Sequence, residues 1–406
     1  MPSTQGQSGA TAGELALHAH RYLLRAGLSI ANVFAWIFVF QFFYLISNNV
    51  ARSLIGVVLL YGLSQGVTIV LTPLSAMHLR RGSKHALIWG TLVAAFAYVM
   101  LGGFLGGFFS TDQPLWGAAA FAVLIGVYRA VYWVPYHLVA AAASSTGSER
   151  QNRRLIYEVI IALLPLFAGL TLMEVPFAPL RLLFGAAALI ALSILPALLL
   201  PDKREHYSWS YRYTFQQLLR PKHSALVLTA FFDGLQGAAL FLIWPLSVFL
   251  ILEWSYATVG LVFSLTLLLV ILARGIYARF LSHYKMERSS VIAVFAISGW
   301  VARLAAGTPI GIIVADTYSY ASQPLRGTMA DPFTFEQSTD RGAFVDEYTV
   351  LKEISLSVGR IAMCMLVGFL ALATPIPVAL AAALVLAAFA SGISVALARV
   401  TPASVH

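Results

Sequence analysis

The sequence predicts an all-α polytopic membrane protein with twelve transmembrane helices in two pseudo-symmetric six-helix bundles. Composition, the spacing of apolar runs and the placement of basic residues predict it. Of 406 residues, 59% are hydrophobic and only 11% charged. The mean hydropathy is +0.81, well outside the composition of soluble globular domains. A bilayer-crossing helix needs ~20 mostly apolar residues, so twelve crossings leave room for loops and tails but little for a separate soluble domain.

Residues 1–28 are polar and lack the short apolar core and small-residue site of a cleaved signal peptide, so they are read as a cytoplasmic tail. Six apolar spans follow near Ser29–Ile46, Ser53–Leu74, Ala86–Phe109, Leu115–Ala142, Leu155–Met173 and Leu182–Leu200, making a first bundle over 29–200. A tyrosine-rich cytoplasmic linker occupies 201–224. The second bundle, 225–398, has spans near Ala225–Leu252, Thr258–Ala273, Ser289–Ala305, Pro309–Ser322, Val350–Ala373 and Ile376–Ala398, before a cytoplasmic tail at 399–406. The ninth and tenth spans are the shortest. Ahead of the eleventh, the polar stretch 323–340 carries a helix-start signal at Ser338-Thr339-Asp340.

Basic residues stay preferentially in cytoplasmic loops. With the N-terminus inside, 21 of the 26 Lys and Arg residues fall on the cytoplasmic side and three, Arg52, Arg181 and Arg303, on the other. Arg129 and Arg360 lie within spans. This predicts a multi-pass protein of the cell (inner or plasma) membrane with both termini cytoplasmic. It also assigns the net charge of +9 to insertion and lipid contact, which excludes a nucleic-acid partner.

An internal repeat supports two related halves. At an offset of 204, Asn32 aligns with Gln236, Asn49 with Glu253, Gly56 with Gly260 and Lys84 with Arg288. At 187, Arg129 aligns with Asp316, Trp133 with Tyr320 and Tyr136 with Gln323; at 195, Glu158 aligns with Glu353 and Ile161 with Leu356.

Twelve spans in two halves, a basic central loop and cytoplasmic termini resemble the major facilitator superfamily from about Ser29 to Ala398. That family's loop after its second helix reads G-x-x-x-D-R-x-G-[RK]-[RK]. Here Ser75 to Lys84 reads SAMHLRRGSK, with Arg80, Gly82 and Lys84 matching, while Ser75 replaces the first glycine and Leu79 the aspartate. The resemblance implies that the first, fourth, seventh and tenth spans line a central cavity.

Ionisable groups inside a bilayer cost commonly ~2.5–3.5 kcal/mol each and are functional candidates by default. On the fourth span Arg129, Tyr132, Trp133, Tyr136 and His137 share one helical face, and on the tenth Asp316, Ser319, Tyr320 and Gln323 do. Asn32 and Trp36 on the first span and Gln236 on the seventh complete the substrate-cavity candidates. Arg129 and Asp316 are expected to face each other, either as a substrate-binding or switching pair or as a static fastener. The aromatics serve equally well as packing. His137, one turn nearer the cytoplasm, is read as an interfacial or hydrogen-bonded histidine.

Asp233 and Asp316 are the proton-coupling candidates; Asp233 could instead cap a turn loosened by Gly234. Gating candidates are Arg80, Glu158, Glu353 and Arg360. The two glutamates sit in early helical turns, where the dipole favours carboxylates, and Glu353 could pair with Arg360 two turns deeper or with cytoplasmic arginines.

Gly62-Leu63-Ser64-Gln65-Gly66 fits a hydrolase nucleophile pattern but lies inside an apolar helix, where the strand-to-helix elbow is missing; it reads as Gly-x-x-x-Gly packing. Gly102/Gly106, Gly103/Gly107 and Gly307/Gly311 share that spacing. No dinucleotide, Walker A, C-x-x-C or H-E-x-x-H motif occurs, and the single cysteine, Cys364, leaves no disulfide. No enzymatic activity, cofactor or metal is expected.

The resemblance implies a secondary active transporter, monomeric, moving a small organic solute by alternating access, with lipid and substrate as partners and protons as candidate coupling ions. The alternative is a non-transporting protein of the same fold, such as a lipid scramblase or an assembly partner.

Overall fold

The computed structural model describes residues 5–108, 115–143, 151–174, 177–202, 204, 207–276, 289–321 and 347–397. Every extended element among them is helical: α1 (Gln5–Ser47), α2 (Val50–His78), α3 (Ser83–Leu105), α4 (Leu115–Ala143), α5 (Gln151–Glu174), α6 (Ala178–Leu192), α7 (Ile194–Ala197) and α8 (Tyr211–Leu218). Then come α9 (Ser224–Ala238), a π turn (Ala239–Ile243), α10 (Trp244–Ile251), α11 (Tyr256–Ile276), α12 (Ser289–Leu304), α13 (Pro309–Ala321), α14 (Glu347–Ala373) and α15 (Ile376–Leu397). Ten helical stretches among the described residues are long and apolar enough to cross a membrane. Their outer faces expose large side chains such as Leu45, Phe96, Phe167, Met365 and Phe389, the surface a lipid solvent requires. The chain is a multi-pass membrane protein.

One sequence expectation changes. The first helix does not begin at Ser29: it runs from Gln5, and Leu15–Ser47 is its crossing-length stretch. A hydropathy window penalises His20, Arg21 and Arg25, yet His20 and Arg25 are buried against protein partners. The 201–224 linker is likewise partly helical, through α8, and packs on the helices described below. The expected helix start at Ser338 lies outside the described residues, as does Gln323.

Close packing follows the small residues. α14 lies against both α2 and α9. A side chain at Gly234 would strike the Leu356 carbonyl, and one at Gly359 the Phe231 carbonyl, so these two glycines set how nearly α9 and α14 approach. Gly102 and Gly106 meet α6 as their spacing suggests, but Gly62, Gly66 and Gly307 have open space where a Cβ would stand. The Gly62/Gly66 pair therefore makes no close helix contact among the described residues.

The π turn has a local cause. Pro245 has no amide hydrogen, and its ring crowds the carbonyl four residues earlier, so the helix widens by one residue just before it. Trp244, which follows the π turn, is buried.

Candidate functional site

Near the middle of the crossing stretch of α1, Ser29 and Asn32 face a cavity of about 40 Å3 whose other walls come from Pro165, Phe241, Trp244, Phe263 and Tyr320. That volume admits a few water molecules at most. The Tyr98 hydroxyl donates to Asn32 Oδ1 at 2.5 Å, which fixes the orientation of the amide. The cavity thus separates residues of the first half of the chain, on α1 and α5, from the π turn, α10, α11 and α13.

Behind the opposite wall lies an ion pair. Arg303 Nε donates to Asp316 Oδ1 at 2.6 Å, with both side chains buried, and Trp244 Nε1 donates to Asp316 Oδ2 at 3.0 Å. The guanidinium lies over the rings of Trp300, Tyr320 and Trp244 at 4.7, 4.8 and 5.8 Å and bonds the Tyr320 hydroxyl. One terminal nitrogen, Nη2, has no hydrogen-bond partner among the described residues. Each polar end of Trp244 and Tyr320 is therefore consumed by the pair, and their rings form the wall.

This corrects two expectations. Asp316 pairs with Arg303, not with Arg129, and Arg303 is a buried member of the site instead of a loop residue. The repeat aligned Arg129 with Asp316 as equivalents in two halves, and equivalence is not contact. Sequence reasoning missed Arg303 and Trp244. A Trp in an apolar run was the available signal, since a buried indole N–H needs an acceptor.

The α4 stripe packs elsewhere. Tyr132 stacks on Tyr136 and meets Trp133 edge to face, its hydroxyl pairs with His20 Nε2 at 3.1 Å, and His20 Nδ1 lies 2.8 Å from the Ser193 carbonyl. Arg129 is half-buried and interacts electrostatically with Tyr98. Trp36 packs on Tyr61 and Phe121. Of the residues expected to line a substrate cavity, Asn32 and Tyr320 line this one; Trp36, Arg129, Tyr132, Trp133, Tyr136, Gln236 and Asp316 do not.

Asp233 accepts from Ser394 at 2.6 Å and Gln236 at 3.2 Å, tying α9 to α15. Glu158 pairs with Arg25 at 2.8 Å in the interior between α5 and α1. Its aligned counterpart Glu353 is buried with Oε2 unpartnered. Arg360 Nη1 donates to Gln65 Oε1 at 3.3 Å and so links α14 to α2; the alternative of a Glu353–Arg360 ion pair is not seen among the described residues.

Aromatic side chains join the first half of the chain to the second at two levels. Where α1 ends, Phe40 and Tyr44 pack on Trp254, and Phe34 and Phe38 on Tyr256, whose hydroxyl bonds Gln41. Glu253 and Trp254 adopt left-handed φ of 53° and 66°, unfavourable for a residue as bulky as Trp, and this turns the indole onto α1. At the opposite end Tyr207 of the linker is buried among Ala76, Leu79, Val134, Val350 and Ile354.

No family model matches the chain, and no curated protein sequence matches it. Solved structures do. The nucleoside transporter NupG superposes with a TM-score of 0.59 at 13% identity, covering 95% of this chain and 100% of the other. The human organic anion transporter MFSD10 gives 0.55 at 13%, covering 96% and 99%. A peptide transporter, POT, gives 0.59 at 13%, covering 98% of each. The chain has the major facilitator fold.

The major facilitator loop motif can now be placed. Leu79, at the motif's aspartate position, is buried under Tyr207, and a carboxylate reaches the α3 start from the linker instead: Asp202 Oδ1 accepts the Lys84 amide at 3.2 Å. That Asp202 position beside Gly82, whose φ is 121°, leaves no room for a Cβ. Arg80 donates to the Tyr207 carbonyl at 3.4 Å. On the far side the Ser208 amide donates to Glu347 Oε1 at 3.1 Å, and His223 meets Tyr348 edge to face. The linker thus bridges the α2–α3 turn and the α14 start. The Tyr207 hydroxyl, bonded to Thr214 at 2.7 Å, is pushed up to about 12 by burial, reinforced by the Glu347 charge.

Proposed function

We propose that this protein is a secondary transporter that moves a small organic solute by alternating access, as a monomer, with twelve crossings in two six-helix halves and both termini cytoplasmic. The observation that carries the reading is the cavity between Asn32 and Trp244. It sits between the two halves of the chain, with an aromatic clasp at one end and the Tyr207 plug at the other. An occluded intermediate needs this arrangement, because each cover must open in turn. The solved neighbours, transporters of nucleosides, organic anions and peptides, support transport as a class.

Asp233 and Asp316 are the candidate sites of proton coupling, and Arg80, Glu158, Glu353 and Arg360 the candidate gating groups. The small, ring-walled cavity also favours a second reading, a non-transporting protein of this fold such as a lipid scramblase. Reconstitution separates the two. Sealed vesicles holding the purified chain should take up a subset of small organic solutes under an imposed pH gradient, saturably, with loss in Trp244→Ala. Scrambling of a fluorescent lipid without uptake of any solute would reject transport.

A further inference from the structure

We infer that the cavity selects an uncharged, flat aromatic or heteroaromatic solute that presents a hydrogen-bond acceptor at one edge. The inference rests on the transport reading for its biological sense but concerns the chemistry of the site alone. The two walls differ. On α1, Tyr98 holds Asn32 Oδ1, and neither the Asn32 amide nitrogen nor the Ser29 hydroxyl has a hydrogen-bond partner among the described residues, although both residues line the cavity. An amide NH2 only donates, and a hydroxyl can donate. This wall offers hydrogens, one helical turn apart, and calls for an acceptor.

The facing wall offers none. The Trp244 N–H is held by Asp316 and the Tyr320 hydroxyl by Arg303, so both residues present ring faces, beside Phe241 and Phe263. Rings at such a surface gain from stacking an aromatic plane. No charged side chain is among the cavity-lining residues. Arg303 and Asp316 lie behind the rings and neutralise each other, so a charged solute would enter without a counter-charge, at a desolvation cost nothing in the wall offsets. A solute of this size requires α1 to draw back from α10, since the cavity of about 40 Å3 is too small for it.

Calorimetric titration of the purified full chain with four probes tests this: benzamide, benzoate, benzylammonium and toluene. Benzamide, uncharged with a carbonyl acceptor, should bind at least about tenfold more tightly than either charged probe. It should also exceed toluene, which lacks the acceptor, by about three- to tenfold, the net worth of one hydrogen bond. Asn32→Ala should erase the preference for benzamide over toluene. Tyr98→Phe removes the same internal hydrogen bond but spares the amide, and should keep that preference. Binding of benzoate or benzylammonium as tight as benzamide, no benzamide binding, or a preference that survives Asn32→Ala would overturn the inference. Should Asn32→Ala fail to fold, the ranking in the wild-type chain decides alone. Benzamide that binds but never crosses vesicle membranes would leave this inference standing and count against transport.

Discussion

Arg303 and Asp316, 13 positions apart on consecutive helices, form a buried ion pair of 2.6 Å. Removing one partner leaves the other charge uncompensated in the interior, a loss of about 3–5 kcal/mol, whereas removing both leaves none. Arg303→Ala and Asp316→Ala should each lower the melting temperature of the detergent-solubilised protein sharply, and the double variant should lose much less than the sum. Strictly additive losses would contradict the pair.

Glu158 and Glu353 align in the internal repeat but differ in partner. Glu158→Gln removes the carboxylate charge paired with the buried Arg25 and should cost about 3–5 kcal/mol. Glu353→Gln exchanges a buried carboxylate whose Oε2 has no partner for a neutral amide, and should stay within about 1 kcal/mol of wild type or exceed it. Equal losses in thermal melting would show that Glu353 has an ionic partner after all.

The glycines make opposite predictions. Gly62 faces open space, so Gly62→Ala should stabilise its helix by about 0.5–1 kcal/mol. Gly359→Ala pushes a methyl group into the Phe231 carbonyl and should cost about 1–3 kcal/mol. Paired melting curves check both signs.

Tyr207 fixes the linker between α2, α4 and α14. Tyr207→Phe should cost about 1 kcal/mol through the lost Thr214 bond, and Tyr207→Ala about 3–5 kcal/mol through the cavity. Because the folded hydroxyl titrates near 12 against about 10 in an unfolded chain, its contribution is complete below about pH 10. It is then lost as the pH rises through about 12. The stability profile of Tyr207→Phe should be flatter over that window.

The helix ranges were readable because a bilayer demands long apolar runs, and α2, α3, α4, α11 and α15 begin and end within a few residues of the expected positions. The start of α1 was not, since a hydropathy window charges Arg25 and His20 as solvated residues when protein partners bury them. At the site, helical periodicity singled out Asn32, Asp316 and Tyr320. It could not supply the partner of Asp316, because Arg303 reaches it across a turn between helices and no repeat or period encodes that contact. Asp202 was equally hidden: the motif position just after α2 holds Leu79, and the carboxylate arrives from a segment 118 positions away.

Alternating access to the cavity is tested most directly by placing one thiol in it. With Cys364, the single cysteine, changed to Ser, Asn32→Cys in sealed, oriented vesicles can be exposed to an impermeant thiol reagent from either side separately. Alternating access predicts slow labelling from both sides, with each side suppressed when the opposite cover is opened by Tyr207→Ala or Trp254→Ala. Labelling from one side only, or full protection from both in every variant, would contradict a site that opens in turn to each face of the membrane.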